Sequence, residues 1–193
     1  IPYTVNIGDC FCRNRFNLFA SRGDGKVPIL FDGHMDTVLA NNMKWVTNPL
    51  KLTKEGNNFY GLGAYDMKGG IAAFLSAIEK TDTNVKIFLA IDEENISEGA
   101  WLAVRNNRDF FNDVELIISA EPNFGLGINS ITTGRTGRCI FTIEFIGKEA
   151  HIAEYQKGED AINLAGNFIS DFYKKRLKIF KSKKTIAQVR KVQ

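Results

Sequence analysis

Four short segments of this 193-residue sequence carry side chains that can donate to a hard or borderline metal ion. The first is Phe31-Asp32-Gly33-His34-Met35-Asp36. A neutral imidazole is a good zinc ligand, and a carboxylate two residues on lies on the same side of an extended chain, where it can accept the other ring N–H and fix the tautomer. By itself H-x-D more often marks a histidine satisfied by a local hydrogen bond. The second segment, Tyr60-Gly61-Leu62-Gly63-Ala64-Tyr65-Asp66-Met67-Lys68-Gly69-Gly70, runs straight into a helical pattern. Its glycines do not make a nucleotide loop, because Asp66 replaces the third glycine of G-x-G-x-x-G, no lysine stands in a phosphate-loop pattern, and an acid there repels phosphate. They permit a tight backbone that delivers Asp66 beside a helix N-terminus. The third segment, Ile91-Asp92-Glu93-Glu94-Asn95, places three acids directly after an apolar strand, where like charges crowd at a cost unless a cation neutralises them. Taken alone it also describes an exposed acidic turn. The fourth, Ser119-Ala120-Glu121-Pro122-Asn123, offers one more carboxylate.

The elements that must position these groups alternate along the first 120 or so residues. Residues 16–20 and 27–31 read as strands, and 69–80 carries apolar residues at helical spacing behind two glycines. A buried strand follows at 85–91 (VKIFLAI), then a helix at 98–106 and a strand at 114–120 (VELIISA). That order predicts an α/β fold, a mainly parallel sheet sandwiched by helices, whose ligands gather just beyond the strand C-termini. His34, Asp66, the Glu93-Glu94 pair and Glu121 are then expected on one rim, a set hard to explain without metal. After Glu121 two β-rich stretches, 127–133 and 138–146, surround a turn (TTGRTGR), and a helix is expected over 159–175. A boundary near 123–133 divides a partial metal-binding catalytic domain, 1–128, from the start of a smaller α+β lid or dimerisation domain, 129–193.

Composition narrows the class. With 44% hydrophobic residues the chain can bury a sizeable core. No run approaches the roughly 18 apolar residues of a membrane span, and no signal-peptide pattern opens the sequence, so a cytoplasmic, membrane-independent protein is expected. Cys10, Cys12 and Cys139 match neither a disulfide framework nor a Cys-rich zinc site. The formal charge of +3 hides an asymmetry: nine Lys or Arg and no acid follow Phe172, leaving 16 basic against 22 acidic residues before it. Tyr173 and Phe180 are the only aromatics interleaved in that stretch, which reads as a solvated helix end and not a nucleic-acid contact.

Several ordered motifs, GHMDTV, WVTNPL, YGLGAYDMKGG, DEEN, EPN, GRTGR and GKEAHIA, together resemble the zinc-dependent aminoacylase and carboxypeptidase family. That family includes acetylornithine deacetylase, succinyl-diaminopimelate desuccinylase and glutamate carboxypeptidase. The likeness runs over about residues 27–172, roughly three quarters of the chain. The resemblance implies two divalent ions, zinc with cobalt or manganese as alternatives. His34, Asp66 and Glu121 would hold one, and Asp66 and Glu94 would reach the second, with Asp66 bridging. Asp36 would orient His34, Glu93 would be the general base for the attacking water, and the peptide bond after Asp66 would be cis. His151 would reach a neighbouring subunit's site and stabilise the oxyanion, while Arg135 and Arg138 lie where the family meets the substrate carboxylate.

The implied activity is hydrolysis of the amide bond in a small N-acylated amino acid carrying a free carboxylate, by a homodimer that binds neither nucleic acid nor membrane. A dipeptidase or carboxypeptidase of the same family is the nearest alternative. From another class, the chain could serve only as a metal-binding or dimerisation module without catalysis. Tyr155 and Asp160 stand where the family usually has proline and asparagine, departures expected to blur the entry to the following helix. The sequence holds two histidines only, so the family's final imidazole ligand has no counterpart within it, and a fragment is expected.

Overall fold

The structure is a computed structural model that describes residues 4–9, 15–41, 44–123, 127, 129–134 and 141–179. The chain divides into two compact units, Ile1–Ser130 and Ile131–Gln193. Along the first run β1 (Thr4–Asp9), β2 (Phe16–Arg22), β3 (Ile29–His34), a hairpin of β4 (Thr53–Glu55) and β5 (Asn58–Tyr60), and a π-type turn over Ala64–Lys68. Then come α1 (Gly69–Glu79), β6 (Val85–Ala90), α2 (Glu98–Asn106), α3 (Arg108–Phe111) and β7 (Leu116–Ser119). Five strands form one sheet in the order β1-β2-β6-β3-β7. β3 pairs in parallel with β6 and β7, while β2 is antiparallel to β1 and β6, so β2 alone runs against the rest. The expected mainly parallel α/β sheet is present.

The unbroken apolar run of β6 follows from helices covering both faces. Alternation sends Val85, Ile87 and Leu89 to the face packed by Phe74 and Ile78 of α1, together with Ala20 and Phe31. Phe88 and Ala90 turn the other way, onto Phe19, Leu30, Ala103 of α2 and Phe110 and Phe111 of α3. Phe19 anchors that second layer, its ring centroid 5.1 Å from those of Phe88 and Phe110.

Lys86 interrupts the apolar run yet is buried. Its Nζ donates to the Phe110 carbonyl at 2.6 Å and pairs with Asp113, whose second oxygen accepts the Val27 N–H at 2.7 Å. Asp113 thus ties the turn after α3 to β6 and to the approach to β3. The Lys86 hydrogen bond, and after it the Val27 N–H, hold the Asp113 carboxyl below its ordinary value. Because the folded pKa is depressed, this stabilisation is present above the unfolded pKa and is lost as pH falls through the folded one. Asp113→Asn is therefore expected to cost about 1–2 kcal/mol at pH 7. In urea denaturation its deficit should shrink as pH drops below about 4.

In the second unit the described residues hold a 3₁₀ segment, Ile152–Lys157, an isolated bridge between Lys148 and Glu159, and α4 (Ala161–Ile179). Phe168 stacks on Phe172 with centroids 6.0 Å apart and meets Phe145 at a tilt, 5.5 Å away. Asp160 does not blur the helix entry: its Oδ1 accepts the Ile162 and Asn163 N–H groups at 2.8 and 3.2 Å, so aspartate caps α4 as asparagine would. The expected β-rich stretches differ from what is found. Residues 141–147 join no ladder among the described residues, and 127, 129–134 are likewise outside strands. An apolar, β-prone stretch becomes a strand only where a partner takes its N–H and C=O groups, which local sequence does not specify.

Candidate metal centre

Three parallel strands, β6, β3 and β7, bring their C-terminal ends to one rim. Register puts His34 opposite Ala90 and Asp32 opposite Ser119, so the chain leaves all three strands at nearly the same level. His34 is the last residue of β3, Glu93 and Glu94 lie in the turn after β6, and Glu121 stands just past β7. Asp66 arrives by a different route. Gly63, at φ 76, opens the Ala64–Lys68 turn, Lys68 donates its N–H to the Gly63 carbonyl at 2.9 Å, and the Asp66–Met67 peptide bond is cis, as the resemblance implies. Met67 is wholly buried, and its Sδ accepts the His34 backbone N–H at 3.1 Å, which seats the turn under the end of β3.

Gly70 lets the first turn of α1 rest on the chain just past β7. A Cβ there would lie 2.1 Å from the Ala120 carbonyl oxygen, one residue before Glu121. Intrinsic propensity alone would favour Ala over Gly inside a helix by about 1 kcal/mol. The contact reverses that sign, and Gly70→Ala is expected to destabilise the protein by about 1–3 kcal/mol. A midpoint shift to lower denaturant checks it; a gain in stability would mean that the close approach of α1 to Ala120 does not constrain position 70.

His34 Nε2, one Asp66 oxygen and one Glu121 oxygen all lie within 4.8 Å of one another. Nε2 is 3.1 Å from Asp66 Oδ1 and 3.5 Å from Glu121 Oε1, and the ring is only 2% exposed. On the other side, Nδ1 lies 2.9 Å from the Asp36 backbone carbonyl, which can only accept, so Nδ1 carries the proton. Nε2 therefore points either a lone pair or a second proton at two carboxylates. Burial draws the His34 pKa down, but the Asp66 hydrogen bond and the charges of Glu121 and Glu93 outweigh it, and the net shift is upward. A divalent cation would satisfy the same geometry by replacing that second proton, and an imidazole with two carboxylates is a donor set suited to zinc.

Glu94 is outside this trio but within its field. Burial raises its pKa first, and the Asp66 charge, then those of Glu93 and Asp36, add to the rise against the opposing pull of His34. Asp36 behaves differently from the H-x-D expectation. Its carboxylate Oδ1 is 3.6 Å from the His34 Nδ1, and the two oxygens accept instead the backbone N–H groups of Glu93 and Glu94, at 3.2 and 3.1 Å. Sequence reading also missed two supports of that turn. Asp92, buried at φ 64, accepts the N–H groups of Ile96 and Glu98 at 3.4 and 3.3 Å and so ties the turn to the first residue of α2. Asn17 donates to the Gly99 carbonyl at 2.8 Å and accepts the Ile91 N–H at 3.2 Å. Neither an acid six residues before a helix nor a single asparagine in a strand carries a local signal for such a contact.

His151 belongs to the second unit, exposed at the start of the 3₁₀ segment. Its Nδ1 accepts the Ala153 N–H at 3.2 Å, which leaves the ring proton on Nε2. Arg135 and Arg138, like Cys10, Cys12 and Cys139, lie outside the described residues. No helix among the described residues is long and apolar enough to cross a membrane.

A sheet covered by helices on both faces, with imidazole and carboxylates converging on its C-terminal rim, defines an α/β domain built to take a divalent cation. A model of peptidase family M20/M25/M40 matches residues 30–187, and the chain belongs to that family. It is 31% identical over 185 residues to acetylornithine deacetylase of Buchnera aphidicola subsp. Schizaphis graminum, covering 93% of this chain and 46% of that protein. It is 32% identical over 157 residues to acetylornithine deacetylase of Pasteurella multocida, covering 79% and 39%. Among solved structures it resembles human carnosine dipeptidase 1, with a TM-score of 0.55 and 26% identity over 62% of this chain and 29% of that one. The chain thus spans less than half the length of the curated relatives it matches.

Proposed function

We propose that the protein is a metal-dependent hydrolase that cleaves the amide bond of N-acylated amino acids by attack of water on the acyl carbonyl. The observation that carries this reading is the convergence of His34, Asp66 and Glu121 within 4.8 Å beside the Glu93–Glu94 turn. His34, Asp66 and Glu121 would hold one divalent ion, and Asp66 and Glu94 would reach a second; zinc fits the donors, with cobalt or manganese as alternatives. When bound, such ions supply Lewis acidity that polarises a carbonyl and makes water more acidic. Glu93 takes the proton of the attacking water and returns it to the departing amine. The raised pKa of Glu94, set first by burial and then by neighbouring carboxylates, marks a position that gains from a nearby cation.

Beyond the metal cluster, His151 with its Nε2–H directed away from Ala153 is suited to donate to a developing oxyanion, reaching it across a homodimer formed by the smaller domain of residues 129–193. Arg135 and Arg138 would hold the substrate carboxylate. The names of the matched relatives favour an acylated amino acid such as N-acetylornithine. The likeness to human carnosine dipeptidase 1 favours a second reading, a dipeptidase. Initial rates on acetyl-, succinyl- and dipeptide substrates with zinc added separate the two. Faster turnover of an acylated amino acid is expected, faster turnover of dipeptides would transfer the assignment, and hydrolysis of none by the zinc-loaded protein would contradict both.

A further inference from the structure

Asp36 joins two parts of the centre through two different groups. Its backbone carbonyl accepts the His34 Nδ1–H at 2.9 Å and so sets the tautomer that turns Nε2 toward Asp66 and Glu121. Its carboxylate stands 3.6 Å from the ring at Oδ1 and hydrogen-bonds at the next strand's exit: Oδ1 accepts the Glu93 N–H at 3.2 Å and Oδ2 the Glu94 N–H at 3.1 Å. We infer that Asp36 is a positioning residue for the Glu93–Glu94 turn, one that clamps two successive backbone N–H groups and thereby fixes where both glutamates point. This rests on the roles proposed above for Glu93 and Glu94.

The chemistry requires a carboxylate there. Two adjacent N–H groups leaving a strand form a small concavity that favours an anion, and bonds to an ionised acceptor are about twice as strong as neutral ones. The chain just before them cannot do the work, since Asp92 sits at φ 64 and spends its own carboxylate on Ile96 and Glu98. Asparagine at position 36 would keep one oxygen and set an NH₂ group against the other backbone N–H. It would also keep the backbone carbonyl, so the His34 tautomer survives the substitution and the two functions of Asp36 can be separated.

Amide hydrogen exchange read by NMR on the metal-free protein tests this without any assay of turnover. In the wild type the Glu93 and Glu94 amides are expected to be protected although they lie in no helix or strand. In Asp36→Asn they should exchange at least about tenfold faster, while the β6 amides keep their protection and the His34 Nδ1–H resonance stays in place. The zinc-loaded variant should then show kcat reduced about 10–100-fold with little change in KM. Unprotected Glu93 and Glu94 amides in the wild type would overturn the inference even if the variant failed to fold. So would unchanged exchange in a folded Asp36→Asn that instead lost the His34 resonance and bound zinc more weakly, because the carboxylate would then serve His34. Should the exchange behave as expected in a protein that hydrolyses nothing, the clamp stands and only the hydrolase reading fails.

Discussion

Glu93→Gln should reduce turnover by about 10²–10⁴-fold while metal content stays at the wild-type level. Glutamine keeps the size and shape of the side chain and loses only the ability to accept a proton. Glu93 is absent from the close trio of His34, Asp66 and Glu121, so removing its charge leaves those donors in place. Its backbone N–H would still be held by Asp36, which confines the change to the carboxylate. The check is kcat on an acylated amino acid, with bound metal measured in the same samples. Equal turnover in the two proteins would remove Glu93 from the mechanism, and equal loss of metal would make it a ligand.

Asp66→Asn should have the opposite signature, with metal affinity falling by more than the roughly 10–100-fold typical of an outer-shell residue and activity falling with it. Asp66 is the hub of the charge pattern. Its Oδ1 lies 3.1 Å from His34 Nε2, and its charge is the first electrostatic contribution to the raised pKa of Glu94. An amide at that position would remove one anionic ligand proposed for the first ion and the proposed bridge to the second. Competition with a chelator of known affinity measures the change. Metal binding left within a few-fold of wild type would show that Asp66 is no ligand.

Much of the fold was legible because each face of the sheet leaves its own mark. VKIFLAI reads as a buried strand since both of its faces are covered, and the apolar spacing of 69–80 announced the helix that covers one of them. The trio His34, Asp66 and Glu121 was legible because parallel strands share a rim, so three separate strand or loop ends become neighbours without any local signal linking them. What escaped were contacts that depend on backbone groups far apart in sequence. Asn17 reaches Gly99 and Ile91, and the Asp36 carboxylate, 3.6 Å from the His34 ring, hydrogen-bonds the Glu93 and Glu94 amides. The short hairpin of β4 and β5 was missed too, three residues a side being too few for alternation to register. In the second unit, apolar residues across 138–146 gave a strand reading that residues 141–147 do not follow, since strand identity waits on a partner.

Anomalous diffraction at the zinc absorption edge, from crystals grown with zinc, addresses the metal directly. The expected result is a peak about 2.0–2.2 Å from His34 Nε2 and from one oxygen each of Asp66 and Glu121. No peak at that position, with His34 Nε2 still hydrogen-bonded straight to Asp66, would contradict the metal-centred account.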